Sequence, residues 1–202
     1  MAMLTQLVNV KKRLEIPLSD VTHDEILTRA IEAVSARFDR ECNRTFARTV
    51  NATQEFAATE MEVIANCYPI ETLSKFELKA NQTEGWVLQS SVRFLVRQAC
   101  VISLITPLAY VPRFPVIDPG LGRVTYMGGY VLPGAAVGEG QTPLPADVES
   151  AALEEVAGWY QQRDKVGLLR EWPSGGTYLS LSQLPLLPEV SAILRRYQRW
   201  VV

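Results

Sequence analysis

An α+β architecture is expected from this sequence: a helical bundle base, an inserted β-rich domain, and an extended C-terminal arm ending in a helix. Two stretches, residues 22–46 and 145–166, repeat apolar residues at helical spacing on one side only. Between them the helical period disappears. β-Branched and aromatic residues rise there and Asn, Gly and Pro punctuate them, which is the habit of strands and turns. The base is therefore assigned to residues 1–48 plus 142–202 and the insertion to 49–141.

In chain order, Thr5 is placed to cap a short helix carrying Leu7, Val10 and Leu14, which ends before Pro17. Thr22 and Glu25 have the spacing of a capping box, each able to serve the other's backbone amide. Behind them Leu27, Ile31, Val34, Phe38 and Cys42 form an apolar stripe widened by Ile26 and Ala30, with Arg29, Glu32, Asp39 and Arg40 outside. Expected strands are 48–56, 60–64, 72–78, 85–89, 92–97, 101–105 and 123–127, with a turn at 81–85 and a proline-stiffened loop at 112–122. Gly128-Gly129-Tyr130 closes this block, and the glycine-rich 133–140 leads out of it. These glycines match neither G-x-x-x-x-G-K-[ST] nor a G-x-G-x-x-G that opens a helix, so they are not read as a phosphate loop.

A second long helix starts at Pro145 or Ala146, buries Val148, Ala152, Val156, Trp159 and Tyr160, and stops at Gly167. A looser arm follows. Pro185 and Pro188 then frame a last helix whose stripe is Val190, Ile193, Leu194, Tyr197, Trp200 and Val201.

Composition narrows the function classes. Twenty basic and 22 acidic residues leave a net charge of -2, unlike the strongly basic surface that clamps nucleic acid. The apolar run 94–111 is broken by Arg97, Gln98 and Pro107 and falls short of the roughly 20 apolar residues that span a bilayer. No membrane role is expected. Cys42, Cys67 and Cys100 are scattered among apolar residues and lack ligand spacing, which suits free thiols in a reducing cytoplasm.

No catalytic, metal-binding or cofactor-binding constellation emerges. The single histidine, His23, sits in a helix-capping segment without a nucleophile or metal partner in view. Cys42 lies on the apolar stripe, where burial raises a thiol pKa and lowers its reactivity. Asp147, Glu149, Glu154 and Glu155 cluster on one helix and read as a solvated face. The chain is not expected to be an enzyme.

Two surfaces remain as candidates. Trp172, Tyr178, Leu179, Leu181 and Leu184 lie on an arm with too little regular structure to bury them alone, and with Tyr197 and Trp200 they suit contacts to another protein. Arg195, Arg196 and Arg199 beside Tyr197 form the one basic and aromatic mixture, able to pair phosphates while stacking bases. Its simpler reading is a buried stripe with arginines favoured at a helix C-terminus.

The pattern L-x-x-V-x-x-V-K-x-x-L-E-I, followed by T-H-D-E-I-L-T-R-A-I-E-A-V-S-A-R-F-D-R-E-C-N-R-T-F, resembles the head-tail connector (head-completion, adaptor) proteins of tailed bacteriophages. R-V-T-Y-M-G-G-Y-V leading to P-A-D-V-E-S-A-A-L-E-E-V-A-G-W-Y resembles the longer members, as does Y-L-S-L-S-Q-L-P with its terminal P-E-V-S-A-I-L-R-R-Y. The resemblance implies a structural virion protein made in the host cytoplasm and placed in the neck. There it forms a homo-oligomeric ring, typically dodecameric, beneath the portal protein. That ring extends the DNA channel and receives the next neck or tail protein. DNA would pass without sequence-specific binding, and Trp172, Tyr178, Leu179, Leu181, Leu184, Tyr197 and Trp200 would face portal or neighbouring copies. The alternative expectation is a nucleic-acid-binding accessory module acting through Arg195, Arg196 and Arg199.

Overall fold

The computed structural model describes residues 2–81, 83–105, 120–163 and 186–199. Among the described residues it is a mixed protein with four α-helices and antiparallel sheets, and it divides into two compact units. One comprises Met1–Cys42 and Pro145–Gln198, the other Asn43–Leu144 and Arg199–Val202.

The first unit holds α1 (Leu7–Arg13), α2 (Asp24–Glu41), α3 (Ala146–Gln162) and α4 (Pro188–Leu194), the last followed by a 3-10 turn at Arg195–Tyr197. Helix α3 packs against each of the other three. The stripe on α2 is buried as its spacing requires: Leu27, Ile31, Val34, Phe38 and Cys42 are all inaccessible or nearly so. Each of the larger side chains contributes about 2 kcal/mol by leaving water. Ile26 departs from the expected stripe and stays exposed.

Both expected caps are replaced. His23, not Thr22, is the N-cap of α2, and no side chain caps the helix. Asp20 Oδ1 captures the Thr22 amide at 3.0 Å in an Asx turn, while Glu25 pairs with Arg29 one turn on, so the reach of Glu25 back to the Thr22 amide is replaced. Gln6 is the N-cap of α1; Leu4 N donates to Ser35 Oγ at 3.0 Å and fixes the chain entry, leaving the Thr5 hydroxyl buried without a partner among the described residues. Lys11 is also buried, and its ammonium donates to Asp24 Oδ1 at 2.7 Å and to the Leu18 carbonyl at 3.1 Å.

The last helix is shorter than its apolar stripe suggests. Regular α-helix stops at Leu194 and Gln198 is already extended.

The second unit is built from two antiparallel sheets. Strands β1 (Thr49–Ala57), β3 (Ile70–Lys79), β4 (Val87–Leu88) and β7 (Leu121–Gly128) form the first, in the order β1-β7-β3-β4. Strands β2 (Glu62–Ile64), β5 (Arg93–Arg97) and β6 (Val101–Ile105) form the second, in the order β2-β6-β5. Their inner faces share one apolar cluster, in which Ala52, Phe56, Phe76, Val124 and Tyr126 meet Val63, Ile102 and Leu104. Gly122 lies under Phe56 and Phe76, whose rings stack at 6.1 Å; a Cβ there would come within 2.7 Å of the Phe56 ring. Short strands β8 (Tyr130–Val131) and β9 (Thr142–Pro143) add a parallel pair, and Gly129 turns the chain between β7 and β8 at φ +100°.

Two polar arrangements lock this unit. The Tyr126 hydroxyl accepts from the amides of Asn66 and Cys67, each at 3.1 Å, and donates to Asn66 Oδ1. Arg44, 4% exposed, lies 3.3 Å over the Tyr68 ring, 4.7 Å from that of Phe46 and 5.3 Å from that of Tyr130. It donates to the Tyr68 carbonyl. Burial pushes the Tyr68 hydroxyl above its ordinary pKa, against the opposing pull of Arg44.

Candidate interaction surfaces

The carboxylates of α3 are not a solvated face; each has a different partner within the helical unit. Asp147 Oδ1 accepts from the Tyr197 hydroxyl at 2.7 Å, and Glu149 accepts from Asn9 Nδ2 at 3.1 Å. Glu154 takes a two-pronged bond from Arg13 at 2.7 and 2.9 Å. Glu155 is buried, accepts from the Leu187 amide at 3.1 Å and lies 3.7 Å from Arg37. Successive positions on a helix point about 100° apart, so these groups fasten different neighbours and do not converge on a reacting atom.

Of the residues expected to face another protein, Trp172, Tyr178, Leu179, Leu181, Leu184 and Trp200 lie outside the described residues. Tyr197 is half-buried and bonded to Asp147. Arg195 and Arg196 are exposed in the 3-10 turn. Arg199 is separate from them: its Nε and Nη2 donate to the Ile64 carbonyl at 3.2 and 2.9 Å. His23 packs edge-on against Tyr160, with ring centroids 5.7 Å apart. Cys42 and Cys67 are buried thiols in reach of backbone carbonyls, those of Leu194 and of Gly128 respectively, and Cys100 is half-buried. Among the described residues no three or more His, Cys, Asp or Glu are grouped to hold a metal ion, and no helix is long and apolar enough to cross a membrane.

On the β-rich unit the outer face of the four-stranded sheet carries opposite charges in ladder positions. Glu77 sits between Arg123, at 2.9 Å, and Lys75, at 3.2 Å; Arg48 pairs with Glu71 at 2.8 Å. Trp86 covers Arg123, whose guanidinium carbon is 4.1 Å from the ring centre. Burial alone would raise the Glu77 pKa, but its bonds from Arg123 and Lys75 outweigh this and hold it below the ordinary value. This face is self-neutralised.

The rims of the two sheets are less settled. Val87 and Leu88 on β4 are 57% and 58% exposed, and Leu95 and Val96 on β5 are 50% and 37% exposed. Among the described residues these strands stand at the edges of their sheets. Sequence reasoning places these residues in strands but has no signal for their exposure, because Val and Leu read equally as core.

No protein-family model and no curated protein sequence matches the chain. Solved structures do. A chain in the neck of an empty gene transfer agent particle, computed with C6 symmetry, superposes on 100% of this chain and 94% of its own length, with a TM-score of 0.58 at 16% identity. The chain has the fold of a virion neck protein. A second correspondence, to a chain in the virion of a native gene transfer agent particle, covers 100% of this chain and 96% of that one, with a TM-score of 0.52 at 17% identity. Correspondence over 100% of this chain means that the helical and the β-rich unit both have counterparts in this neck fold.

Proposed function

We propose that this chain is a structural protein of a phage-like virion neck. Copies form a ring below the portal, extend the DNA channel and present a platform to the next neck or tail protein. The carrying observation is the end-to-end match to a gene transfer agent neck chain. In this reading the helical segments make a bundle-like base, the β-rich domain is inserted between them in the sequence, and the C-terminal arm with Trp172, Tyr178, Leu179, Leu181 and Leu184 docks on portal or on neighbouring copies.

The physical chemistry supports the role. Each phosphate gripped by Lys or Arg adds salt-dependent affinity that would retard a passing duplex. A net charge of -2 and a sheet face whose arginines and lysines are already paired with glutamates avoid such a grip. The reading through Arg195, Arg196 and Arg199 as a nucleic-acid site gains nothing from their placement, since Arg199 is committed to a backbone carbonyl.

The test is to mix the purified full chain with portal rings of the same particle and weigh the product by native mass spectrometry. A portal complex carrying several copies is expected. Particles that acquire tails and deliver DNA in the absence of this polypeptide would overturn the proposal.

A further inference from the structure

The two flanks of the β-rich unit are unlike, and they are complementary. Edge strands β1 and β2 share one flank, linked by Gln54, whose Nε2 donates to the Ile64 carbonyl at 2.8 Å while its Oε1 accepts from the Asn66 amide at 2.9 Å. Between them runs an open groove of about 770 Å³, lined by Phe56, Val63 and Ile64 and by the carboxylates of Glu55 and Glu60. Both carboxylates are exposed and have no ion-pair partner among the described residues. Arg97 and Arg199 also reach this groove, but Arg97 is paired with Glu62 and Arg199 with the Ile64 carbonyl. The bond to a carbonyl leaves the Arg199 charge in place, so Glu55, Glu60 and Glu62 against Arg97 and Arg199 give the groove a net charge of -1 beside its apolar residues Phe56, Val63, Ile64 and Val101.

The other flank is formed by edge strands β4 and β5, which follow one another in sequence across residues 89–92. It is a ridge with Val87, Leu88, Leu95 and Val96 exposed. Arg93 stands exposed beside them with no acid partner among the described residues. An apolar edge this open invites another strand or surface.

We infer that the β4/β5 ridge of one copy seats in the β1/β2 groove of the next, with Arg93 meeting Glu55 and Glu60. The occupant is a second copy of this chain. Ridge against ridge would set Arg93 against Arg93, and groove against groove would oppose carboxylates, so both symmetric pairings repel. The ridge-to-groove contact joins surfaces of opposite net charge and covers the exposed apolar side chains of the ridge. Such a contact uses two different patches and repeats head to tail, which is the geometry that generates a ring when the rotation closes. The inference rests on the ring assembly proposed above and names the surfaces that build it.

The experiment is sedimentation of the full chain over a concentration series, alone and with portal rings, for the wild type, Arg93→Glu, the pair Glu55→Arg with Glu60→Arg, and all three changes together. All three positions of change are exposed, so unaltered thermal melting serves as the folding control. Each single-sided reversal is expected to weaken copy-to-copy association by at least about tenfold, and the combined variant to recover to within about threefold of the wild type. Wild-type association that neither reversal weakens, or that the combined variant fails to recover, would overturn this contact and leave the ring standing. A wild type that never self-associates, with or without portal, would remove the ring and this contact together.

Discussion

Replacing Tyr126 by Phe keeps the ring that fills the centre of the β-rich unit and removes only its hydroxyl. Tyr126 is 1% exposed on the central strand β7, and its oxygen serves three groups. Without it the Cys67 amide loses its acceptor at a site that is 2% exposed, and Asn66 Oδ1 loses its donor. The Asn66 amide keeps Gln54 Oε1 at 2.9 Å, so it is not orphaned. A buried amide left unpaired costs about 1–3 kcal/mol, and the lost bond to Asn66 adds about 1 kcal/mol at most because that side chain is only part-buried. The expected loss is thus about 2–3 kcal/mol, or a melting point lower by roughly 5–10 °C for a chain of this size. Urea unfolding followed by tryptophan fluorescence reads it directly, because Trp86 stacks on Arg123 within the same unit. A loss below about 0.5 kcal/mol would refute the reasoning, since it would mean that neither amide relies on the hydroxyl. Burial also raises the Tyr126 pKa against the pull of the Cys67 and Asn66 amides, so the hydroxyl is protonated at neutral pH and able to donate to Asn66.

Three further substitutions test separate parts of the same unit. Gly129→Ala puts a Cβ 2.5 Å from the Ala47 carbonyl oxygen at φ +100°, and is expected to cost more than about 2 kcal/mol; Gly140→Ala, at φ +75° with open space around it, is expected to cost about 1 kcal/mol in the same thermal scan. Equal losses would show that backbone conformation alone, not the close approach, sets the requirement at 129. Glu77→Gln addresses the charge ladder: a carboxyl held below its ordinary pKa stabilises the fold above its unfolded value near 4.5 and loses that contribution as pH falls through the folded value. The wild type is expected to be the more stable at pH 7, with the gap closing in denaturation curves taken below about pH 4, and parallel acid profiles for the two proteins would contradict this.

The strands of the insertion were legible because runs rich in β-branched and aromatic residues are punctuated by turn residues. Asn81 shows it: its Oδ1 accepts from the Thr83 and Glu84 amides, which makes the turn expected from the sequence. β8 and β9 were not legible, since a two-residue strand has no period and its pairing joins segments eleven residues apart. The caps failed for a related reason. Thr22-x-x-Glu25 satisfies the local rule, but Asp20 lies two residues before Thr22 and takes its amide first. Glu155 was hidden because a carboxylate on a helix ordinarily faces water, and its burial is made tolerable by partners distant in sequence, the Leu187 amide 32 residues later and Arg37 on α2. Sequence alone could not separate Arg199 from Arg195 and Arg196, because the end of regular helix at Leu194 is not marked by Gly or Pro. The ridge and groove escaped notice because their meaning depends on which strands occupy the rims of each sheet, a property of topology and not of local pattern.

The cage around Arg44 has a consequence for how the β-rich unit behaves in changing media. Its guanidinium is held by three ring faces and a main-chain oxygen, and among the described residues no carboxylate takes part. Quadrupoles and carbonyl dipoles are not neutralised by acid, and a site shut off from solvent is little touched by dissolved electrolyte. This anchor therefore keeps its grip in acidic or briny surroundings that would loosen the exposed pair of Arg97 and Glu62.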